Sequence, residues 1–329
     1  MQNPILLTGA TGFLGHHLCR KLLGEGYQVR AFCRAESNKD LLPAPQTGFS
    51  IIEGDILDIF TLADAMEGCG AVIHTAALVS FQSKDKKQLY QTNQEGTANV
   101  VNLALDLKIP RLVYVSSVAA LGRNSGSEKP TSLRDNWHHQ RALTPYARSK
   151  FAAEREVWRA QAEGLSVGAV YPSIMVGAGD WKRGGSPGIF DHLAQGSRYY
   201  PNGSAGFVAV EDVVLSCLHL LQSEEAAERI LCSAANLSWE SFLTQAARAL
   251  KVKPPSIRLR SWQTGLLWPI VGLTARIKGK KPMITRATHR TSQARFHYDG
   301  SSFETILGRS YSSVDEAIRR TAAAYLGSS

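Results

Sequence analysis

The segment YARSK places a tyrosine and a lysine, Tyr146 and Lys150, four residues apart. On a helix this spacing puts both side chains on one face. An ammonium close to a phenol favours the phenolate and lowers the phenol's pKa from its usual value of about 10 toward neutrality. Such a tyrosine can act as a general acid or base. The same pair is common on exposed helix faces, so the spacing alone leaves a surface contact as the alternative.

A hydroxyl suited to hold a reacting oxygen follows the apolar run LVYV, at Ser116 and Ser117. The run predicts a buried central strand that ends at these serines. Because ligands of parallel α/β sheets bind beyond the carboxyl ends of the strands, a serine is expected beside the phenol of Tyr146. Serine, tyrosine and lysine together predict proton transfer to or from a substrate oxygen.

The segment TGATGFLG places glycines at every third position directly after the apolar run ILL. Apolar residues recur at helical spacing after it, which predicts a strand-to-helix turn. Without a Cβ, such residues let backbone N–H groups approach a phosphate, and the helix dipole favours the anion. The spacing differs from the G-x-G-x-x-G pattern, and a plain tight turn is the alternative. The residues predicted to bind a cofactor here are Gly9, Thr11, Gly12, Phe13, Leu14 and Gly15.

Two further strand ends are candidates for holding an adenosine. Arg34 follows the run VRAFC, where a guanidinium can clamp a 2′-phosphate and an acidic residue would accept from a free 2′-hydroxyl. Arg34 therefore favours NADP over NAD, although nearby Glu36 leaves an exposed arginine without a ligand as the alternative. In GDILD, Asp55 and Ile56 are predicted to border the adenine. A turn role for Asp55 and a helix N-cap role for Asp58 are the alternatives.

Apolar, β-branched runs alternate with helical stretches along the first half of the chain. They begin near residues 5, 29, 50, 71, 111 and 166. This alternation predicts βαβ crossovers, that is, an α/β fold of Rossmann type with a doubly wound parallel sheet. The predicted dinucleotide-binding core covers residues 1–172. Residues 173–329 are predicted to form mostly a small C-terminal substrate lobe, with an amphipathic helix near 208–222 that returns to the core.

Composition limits the class of protein. The chain has 329 residues, 44% of them hydrophobic and 20% charged, which is typical of a globular enzyme and not of a disordered chain. Five scattered cysteines without a C-x-x-C pair argue against a disulfide framework and a zinc site, and no metal is predicted. The first predicted strand begins too early for a signal peptide to precede it, so the expected location is cytoplasmic.

Positive charge is concentrated near the end of the chain. The net charge is +9, and from Lys251 onward fourteen Lys and Arg residues stand against four Asp and Glu. From Arg258 to Lys281, cations flank an apolar stretch that is too short to span a bilayer, which needs about 20 residues. Two interpretations are left: a helix of the substrate lobe that closes over the pocket, or a weak contact with an anionic membrane surface. No nucleic-acid partner is predicted.

The motifs TGATGFLG, GDILD, HTAA, TNQEGTANV, VSS and YARSK occur in the order seen in a known superfamily. The chain resembles the extended short-chain dehydrogenases/reductases, in the NAD-dependent epimerase/dehydratase group, over nearly its whole length. The resemblance implies a Rossmann domain with a small C-terminal substrate lobe. It implies a catalytic set of Ser117, Tyr146 and Lys150, in which the lysine also binds the nicotinamide ribose. Ser117 is preferred to Ser116 because it stands five residues before Gly122.

Further residues follow from the same motifs. Asn93 resembles the helix asparagine of the family, whose role is largely structural. Besides the glycine turn and Arg34, cofactor contacts are predicted for residues at the ends of later strands and for two of the catalytic residues. They are Thr75, Ala76, Ala77, Tyr146, Lys150, Pro172 and Ser173.

Within the superfamily the chain looks most like the dihydroflavonol-reductase and 3β-hydroxysteroid-dehydrogenase branch, whose NADP-using reductases share the arginine of AFCR. Sugar 4,6-dehydratases carry an Asp-Glu pair after the catalytic threonine, where this chain has Val118 and Ala119. Dehydration by that route is therefore not expected. Many nucleotide-sugar enzymes carry an arginine before the proline, where this chain has Tyr171. That difference weakens the case for a nucleotide-sugar substrate without excluding it.

The expected function is interconversion of a secondary alcohol and a ketone on a small, fairly apolar substrate, with NADP(H) as cofactor and NAD as the alternative. Tyr146 would exchange the proton and Ser117 would orient the substrate oxygen. A nucleotide-sugar epimerase with the same residues is the second hypothesis, and a non-catalytic NADP-binding protein is the third. The expected partner is a small molecule, and a homodimer is left open. Residues expected to line the substrate pocket are Val79, Phe81, Arg123 and Trp181.

Overall fold

A computed structural model of the chain describes residues 3–122, 129–134, 144–182, 184–259 and 291–328. The strands are β1 (Ile5–Thr8), β2 (Val29–Cys33), β3 (Phe49–Glu53), β4 (Ala71–His74), β5 (Leu112–Val115), β6 (Val167–Pro172), β7 (Ile174–Val176), β8 (Tyr199–Pro201), β9 (Ser204–Ala209), β10 (Ala227–Cys232), β11 (Ala235–Ser238) and β12 (Ile257–Leu259).

The α-helices of the described residues are α1 (Phe13–Gly24), α2 (Ile59–Met66), α3 (Lys86–Tyr90), α4 (Gly96–Asp106), α5 (Pro145–Ala162), α6 (Pro187–Ala194), α7 (Val210–Gln222), α8 (Trp239–Ala249), α9 (Ser301–Leu307) and α10 (Val314–Gly327). A π-helix, Gln91–Glu95, joins α3 to α4, and short 3-10 helices cover Ser83–Asp85 and Val118–Leu121.

Seven parallel strands form the central sheet, in the order β10-β6-β5-β4-β1-β2-β3. All six strands expected from the sequence belong to it, which confirms the predicted Rossmann-type, doubly wound α/β fold. The seventh strand, β10, pairs with β6 and comes from beyond residue 172. The division of the chain at residue 172 stays a prediction. The strand order reverses between β1 and β4, so a crevice is expected at the carboxyl ends of these strands.

Both faces of the sheet are covered, which explains why its central strands are apolar at every position. Successive side chains of a strand point to opposite faces. In β1, Ile5 and Leu7 join the apolar layer of α1 and α7, whereas Leu6 joins the layer of α2, α4 and α5. The amphipathic segment expected near 208–222 is α7, and its buried Val213 and Cys217 pack in the first of these layers.

A smaller layer lies beyond the carboxyl ends of the central strands. Its sheet has the order β11-β9-β7, and β8 pairs with β12 in a separate two-stranded ribbon. The third apolar cluster packs this sheet on α6, α8 and α10, with the rings of Phe207 and Phe242 stacked at 4.1 Å. Strand β7 begins two residues after the end of β6, and β9 leads directly into α7. These two connections hold the smaller layer next to the carboxyl ends of the central strands.

The basic segment from Arg258 to Lys281 is mostly outside the described residues, which include only Arg258 and Leu259 of it, in β12. The interpretations of this segment therefore stay predictions. Within the described ranges, no helix is both long and apolar enough to cross a membrane.

Two of the three glycines in the first turn occupy positions where another residue would be strained or would clash. Gly9 has a φ of +71°, in the left-handed region that glycine adopts readily. A Cβ on Gly15 would lie 2.2 Å from the carbonyl oxygen of Gly9 and 2.7 Å from that of Ala10. Helix α1 can start this close to β1 only because Gly15 has no side chain.

We expect Gly15→Ala to destabilise the protein by about 1–3 kcal/mol, because an added methyl group forces backbone atoms apart. Gly24→Ala is the matched control in the same helix, since a Cβ there meets no atom within 4 Å. Urea unfolding followed by circular dichroism measures both changes. Equal stability of the two variants would contradict the packing argument.

Candidate active site

The glycine turn lies directly before the start of α1. Gly12 N donates to Gly9 O at 2.8 Å, and a Cβ on Gly9 would lie 2.7 Å from Ala76 N. Gly12 is the N-cap of α1, and no side chain accepts a hydrogen bond from the first turn there. Uncapped N–H groups at a helix start suit a phosphate. The residues present therefore fit a phosphate group of a dinucleotide at the start of α1.

The neighbouring predicted residues contribute in different ways. Phe13 packs against the chain at Gly177 and Gly179, and Leu14 lies in the core, so a cofactor contact of either would come from its backbone. Thr11 is almost fully buried. Thr75 Oγ1 donates to Thr8 O at 2.8 Å, which joins the end of β4 to the end of β1. Ala76 and Ala77 follow Thr75 at the same crevice.

Arg34 lies at the end of β2 and borders a cleft of about 370 Å³. Its Nε atom is 3.3 Å from Glu36 Oε1, and both side chains are at least half exposed. An exposed ion pair of this kind contributes at most about 1 kcal/mol, so an incoming phosphate could displace Glu36. The remaining residues that line the cleft are Ser37, Asn38, Asp180 and Lys182.

The segment after β3 forms a turn and a helix cap. Asp55 Oδ1 accepts from Leu57 N at 2.9 Å, and Asp58 caps α2 by accepting from Phe60 N at 3.1 Å. Hydrogen bonds from Thr61 and from the helix N–H groups lower the pKa of the Asp58 carboxyl. The side chain of Ile56 is buried against Gly96 in α4. Asp55 thus has the alternative turn role and Asp58 the alternative helix-cap role. A contact of Asp55 and Ile56 with an adenine stays a prediction.

A buried histidine links the glycine turn to the helices of the opposite layer. His74 Nδ1 lies 2.7 Å from Thr8 Oγ1, and Nε2 lies 3.0 Å from Thr97 Oγ1. Because Thr97 Oγ1 donates to Asn93 O at 2.6 Å, it accepts from Nε2–H, and Nδ1 accepts from Thr8. Burial lowers the pKa of His74 to about 3, and the charge of Lys150 lowers it further. His74 is therefore neutral at physiological pH.

Asn93 continues this chain of hydrogen bonds toward α5. Its side chain accepts from Leu78 N at 2.7 Å and donates to Leu78 O at 3.0 Å and Ser149 Oγ at 2.9 Å. Ser149 Oγ in turn donates to the carbonyl of Tyr146 at 2.8 Å. Asn93 thus fixes the loop after β4 against the first turn of α5, which is a structural role.

Helix α5 begins immediately before the tyrosine. Thr144 caps it by accepting from Ala147 N at 3.1 Å, and Pro145 occupies its first position, which places Tyr146 in the first turn. The Tyr146 ring is half-buried and meets the ring of Phe81 edge-on, with centroids 6.1 Å apart. The phenol is therefore held beside the predicted pocket residue Phe81.

Lys150 is buried one turn further along α5. Its Nζ donates to Val115 O at 2.8 Å and lies 4.4 Å from the centre of the Tyr114 ring. Burial lowers the pKa of the Lys150 ammonium to about 7, while the charge of Glu154 raises it. The lysine can therefore gain or lose a proton near neutral pH.

The two serines at the end of β5 have different partners. Ser117 Oγ accepts from Ala119 N at 3.1 Å and caps the short 3-10 helix that follows. Ser116 is buried, and its Oγ donates to Glu154 Oε2 at 3.0 Å. The hydroxyl proton of Ser116 is thus used in a hydrogen bond to a buried carboxylate. The hydroxyl of the partly exposed Ser117 accepts a hydrogen bond and still has its proton to donate.

The end of β6 carries the last predicted cofactor residues. Pro172 ends the strand, and Ser173 N donates to Cys232 O at 2.9 Å. Among the described residues, Ser173 Oγ and Ser233 Oγ are buried hydroxyls without a hydrogen-bond partner. Both lie around Gly206, where a Cβ would be 2.3 Å from Ser233 Oγ. A buried hydroxyl without a partner at this edge fits a polar group of a bound ligand.

Two residues of this region were not predicted from the sequence. Ser233 follows the unpredicted strand β10. Glu154 follows Lys150 by four residues, just as Lys150 follows Tyr146. This spacing is visible in the sequence and could have identified Glu154 as a residue on the same helix face.

The predicted substrate-pocket residues are spread over the crevice. Val79 is exposed, and Arg123 lies outside the described residues. Trp181 Nε1 donates to Ser328 Oγ at 3.0 Å, and its ring meets that of Tyr325 at 5.2 Å. Trp181 thus joins the loop after β7 to the end of α10.

Side chains that could hold a metal do not cluster in the described ranges, and the five cysteines are buried thiols.

Comparisons with known proteins identify the same relationship. The sequence profile of the NAD dependent epimerase/dehydratase family matches residues 5–232. The chain is 30% identical over 325 residues to a putative dihydroflavonol 4-reductase of Synechocystis, covering 97% of this chain and 93% of that protein. It is 31% identical over 261 residues to sterol demethylase protein B of Methylococcus capsulatus, covering 77% and 78%. The crystal structure of gox2253 superposes with a TM-score of 0.81 at 26% identity and covers 99% of each chain.

We expect the free energy of unfolding to fall as the pH drops below 6.5, because an unfolded His74 binds a proton that the folded one, with a pKa of about 3, does not. His74→Gln should lower stability at pH 7.5, since it breaks the bonds to Thr8 and Thr97. Between pH 7.5 and pH 5, the free energy of unfolding of this variant should fall by about 2 kcal/mol less than that of the wild type.

The measurement is urea unfolding at the two pH values. His192→Gln is the control, because His192 is exposed in α6 and should leave the pH dependence unchanged. An unaltered pH dependence in His74→Gln would show that this histidine is not the source of acid sensitivity.

Proposed function

Because the chain belongs to the NAD-dependent epimerase/dehydratase family of extended short-chain dehydrogenases/reductases, we propose that it is an NADP(H)-dependent oxidoreductase that interconverts a secondary alcohol and a ketone on a fairly apolar substrate. Family membership makes it an NAD(P)-dependent enzyme with a Rossmann-type fold.

The observation that carries the proposal is the position of Lys150. Its buried Nζ reaches the carbonyl of Val115 at the end of β5, two residues before Ser117 and one helical turn from Tyr146. In this position a charged lysine lowers the pKa of a neighbouring phenol. Tyr146 would then pass its proton to a substrate carbonyl oxygen, or take one from a hydroxyl. Ser117 would donate to the same oxygen and hold it beside the phenol.

The cofactor site would use the glycine turn and the crevice beside it. The backbone N–H groups of Phe13 to Gly15, in the first turn of α1, would hold the pyrophosphate, and Arg34 would bind a 2′-phosphate. Lys150 would hold the nicotinamide ribose, and Ser173, whose buried Oγ has no partner, would make a further polar contact with the cofactor. When bound, the nicotinamide would supply or accept the hydride. The half-buried ring of Tyr146 and the ring of Phe81 would keep water from the substrate oxygen.

The relatives support an apolar substrate. One is named for a dihydroflavonol and another for a sterol. The ring of Phe81 offers an apolar contact beside Tyr146, and Val79, two residues earlier in the same loop, is exposed. We infer from these residues and from the names of the relatives that the substrate is fairly apolar and carries a secondary alcohol or ketone.

A nucleotide-sugar epimerase is the second candidate, supported by the name of the family itself. An epimerase returns its cofactor to the starting state within each turnover, whereas a reductase consumes it. Lasting loss of NADPH absorbance with a ketone substrate supports the reductase. Interconversion of epimeric nucleotide sugars without that loss supports the second candidate, and tight cofactor binding without either reaction supports a non-catalytic protein.

We expect Tyr146→Phe to reduce turnover about 10²-fold or more, because only the exchangeable proton is lost. Cofactor affinity should stay within several-fold of the wild type. NADPH oxidation over a panel of aliphatic, aromatic and steroid ketones measures the first effect, and fluorescence titration with NADPH measures the second. Tyr199→Phe, at an exposed tyrosine of β8, is the control. Retention of more than a tenth of the activity would contradict the role of Tyr146.

We expect the wild type to bind NADPH more tightly than NADH, because a charge-assisted contact of Arg34 with the 2′-phosphate contributes roughly 1.5–3 kcal/mol. Arg34→Asp should reverse the preference. Titration of both cofactors gives the ratio of dissociation constants. Arg198→Asp makes the same charge change at an exposed site and should leave the ratio unaltered. Equal affinities of the wild type for the two cofactors would rule out this role of Arg34.

A further inference from the structure

A buried carboxylate lies four residues after Lys150 on the same helix. Glu154, one turn after Lys150 in α5, is only 7% exposed. Its Oε2 atom accepts from Ser116 Oγ at 3.0 Å, and its Oε1 atom accepts from Tyr171 OH at 2.6 Å and Trp158 Nε1 at 3.0 Å. The guanidinium of Arg229 approaches Oε1 to 3.6 Å. We call these five residues the Glu154 cluster.

The Glu154 cluster is assembled from four parts of the fold. Ser116 follows β5, Tyr171 is in β6, Arg229 is in β10, and Trp158 and Glu154 are in α5. Burying a carboxylate is costly unless donors or a cation compensate the loss of water. Three hydrogen bonds and a guanidinium supply that compensation. The Arg229 guanidinium also stacks over the Tyr171 ring at 5.0 Å, and its Nε donates to Tyr171 OH at 3.1 Å.

The same carboxylate partly offsets the effect of burial on the pKa of Lys150. Of the charged and titratable groups around Lys150, His74 on β4 is held neutral by burial, and Tyr114 on β5 presents its ring. Tyr146 lies on the preceding turn of α5. Glu154 is left as the negative charge that favours the ammonium, and it raises the pKa of Lys150 against the effect of burial. A buried ammonium without such a charge would lose its proton.

The Glu154 cluster also gives Tyr171 a role. The side chain of Tyr171 is fully buried and bonded to Glu154 and Arg229, so it does not line a substrate surface. The residue before Pro172 thus contacts Glu154 and Arg229 in this chain, and the guanidinium at that carboxylate comes from β10, through Arg229.

We propose that Glu154 is a positioning residue that favours the protonated form of Lys150, with Arg229 setting how strongly it does so. The inference rests on the proposed function of Lys150. Glu154 acts through Lys150 and does not touch the substrate. Removing the negative charge of Glu154 destabilises the ammonium, whereas removing the positive charge of Arg229 leaves more of the carboxylate's field acting on Lys150.

The test is the titration of Lys150 by NMR in the full-length protein labelled with [ε-13C]lysine. Lys150 is assigned by the signal that Lys150→Met removes. Glu154→Gln should lower the midpoint of Lys150 by at least about one pH unit, and Arg229→Gln should raise it by a smaller amount. Glu154→Asp keeps the charge and should restore a midpoint close to that of the wild type.

Glu156→Gln is the matched control, because it makes the same chemical change two residues away in α5, where Glu156 pairs with Arg159. Its Lys150 midpoint should equal that of the wild type. An unchanged midpoint in Glu154→Gln overturns the inference. If that variant does not fold, an unchanged or lower midpoint in Arg229→Gln overturns it, because Arg229 is on an edge strand and partly exposed.

The titration is read without a substrate, so it is independent of turnover. Loss of activity in Tyr146→Phe together with unshifted Lys150 midpoints in the Glu154 and Arg229 variants would reject the inference and keep the proposed function. Shifted midpoints together with an active Tyr146→Phe would reject the proposed function and keep the electrostatic coupling of Lys150 to Glu154.

Discussion

The burial of Lys150 is the constraint on which the candidate site depends. A lysine ammonium inside a protein needs a hydrogen-bond acceptor and a compensating charge, or it loses its proton. Here the acceptor is the carbonyl of Val115, the last residue of β5, and the charge is that of Glu154. Both partners are available only if α5 packs tightly along the end of the central sheet. The position of Tyr146, on the turn before Lys150, follows from that packing.

The rest of the crevice is held by hydrogen bonds between buried side chains rather than by the sheet alone. From Thr8 the bonds pass through His74 and Thr97 to the backbone of Asn93, and from the Asn93 amide through Ser149 to Tyr146. They join the strand before the glycine turn to the helix of the tyrosine. Because most of these groups are buried, breaking one leaves a polar atom without a partner, which costs about 1–3 kcal/mol. The two ends of the site are therefore fixed relative to each other.

The later part of the chain completes the site from outside the first half. Strand β10 adds Arg229 to the Glu154 cluster and brings Ser233 beside Ser173. The position of the C-terminal helices is set by polar contacts with the core. The buried carboxylate of Asp212 in α7 accepts from both the N–H and the hydroxyl of Ser312 at 2.9 Å, just before α10. Tyr311 OH likewise donates to the carbonyl of Leu231 at 2.9 Å. The segment before α10 is thus anchored to α7 and β10.

The sequence by itself determined the class of fold, because short apolar runs between helical patterns are local signals, and six of the seven central strands follow from them. It also marked the glycine turn, whose glycines are needed where the backbone of α1 meets β1 and β4, and the tyrosine–lysine spacing on one helix face. The tertiary structure alone decided which serine binds Glu154 and which stays available, that Tyr171 is buried rather than lining a pocket, and that Arg229 reaches the same carboxylate. Strand β10 was missed because Glu228 and Arg229 interrupt the apolar pattern of AERILC, and the strand is defined by its pairing with β6. These features depend on contacts between residues far apart in the sequence, such as Arg229 and Glu154, and no local pattern of residue types specifies such contacts.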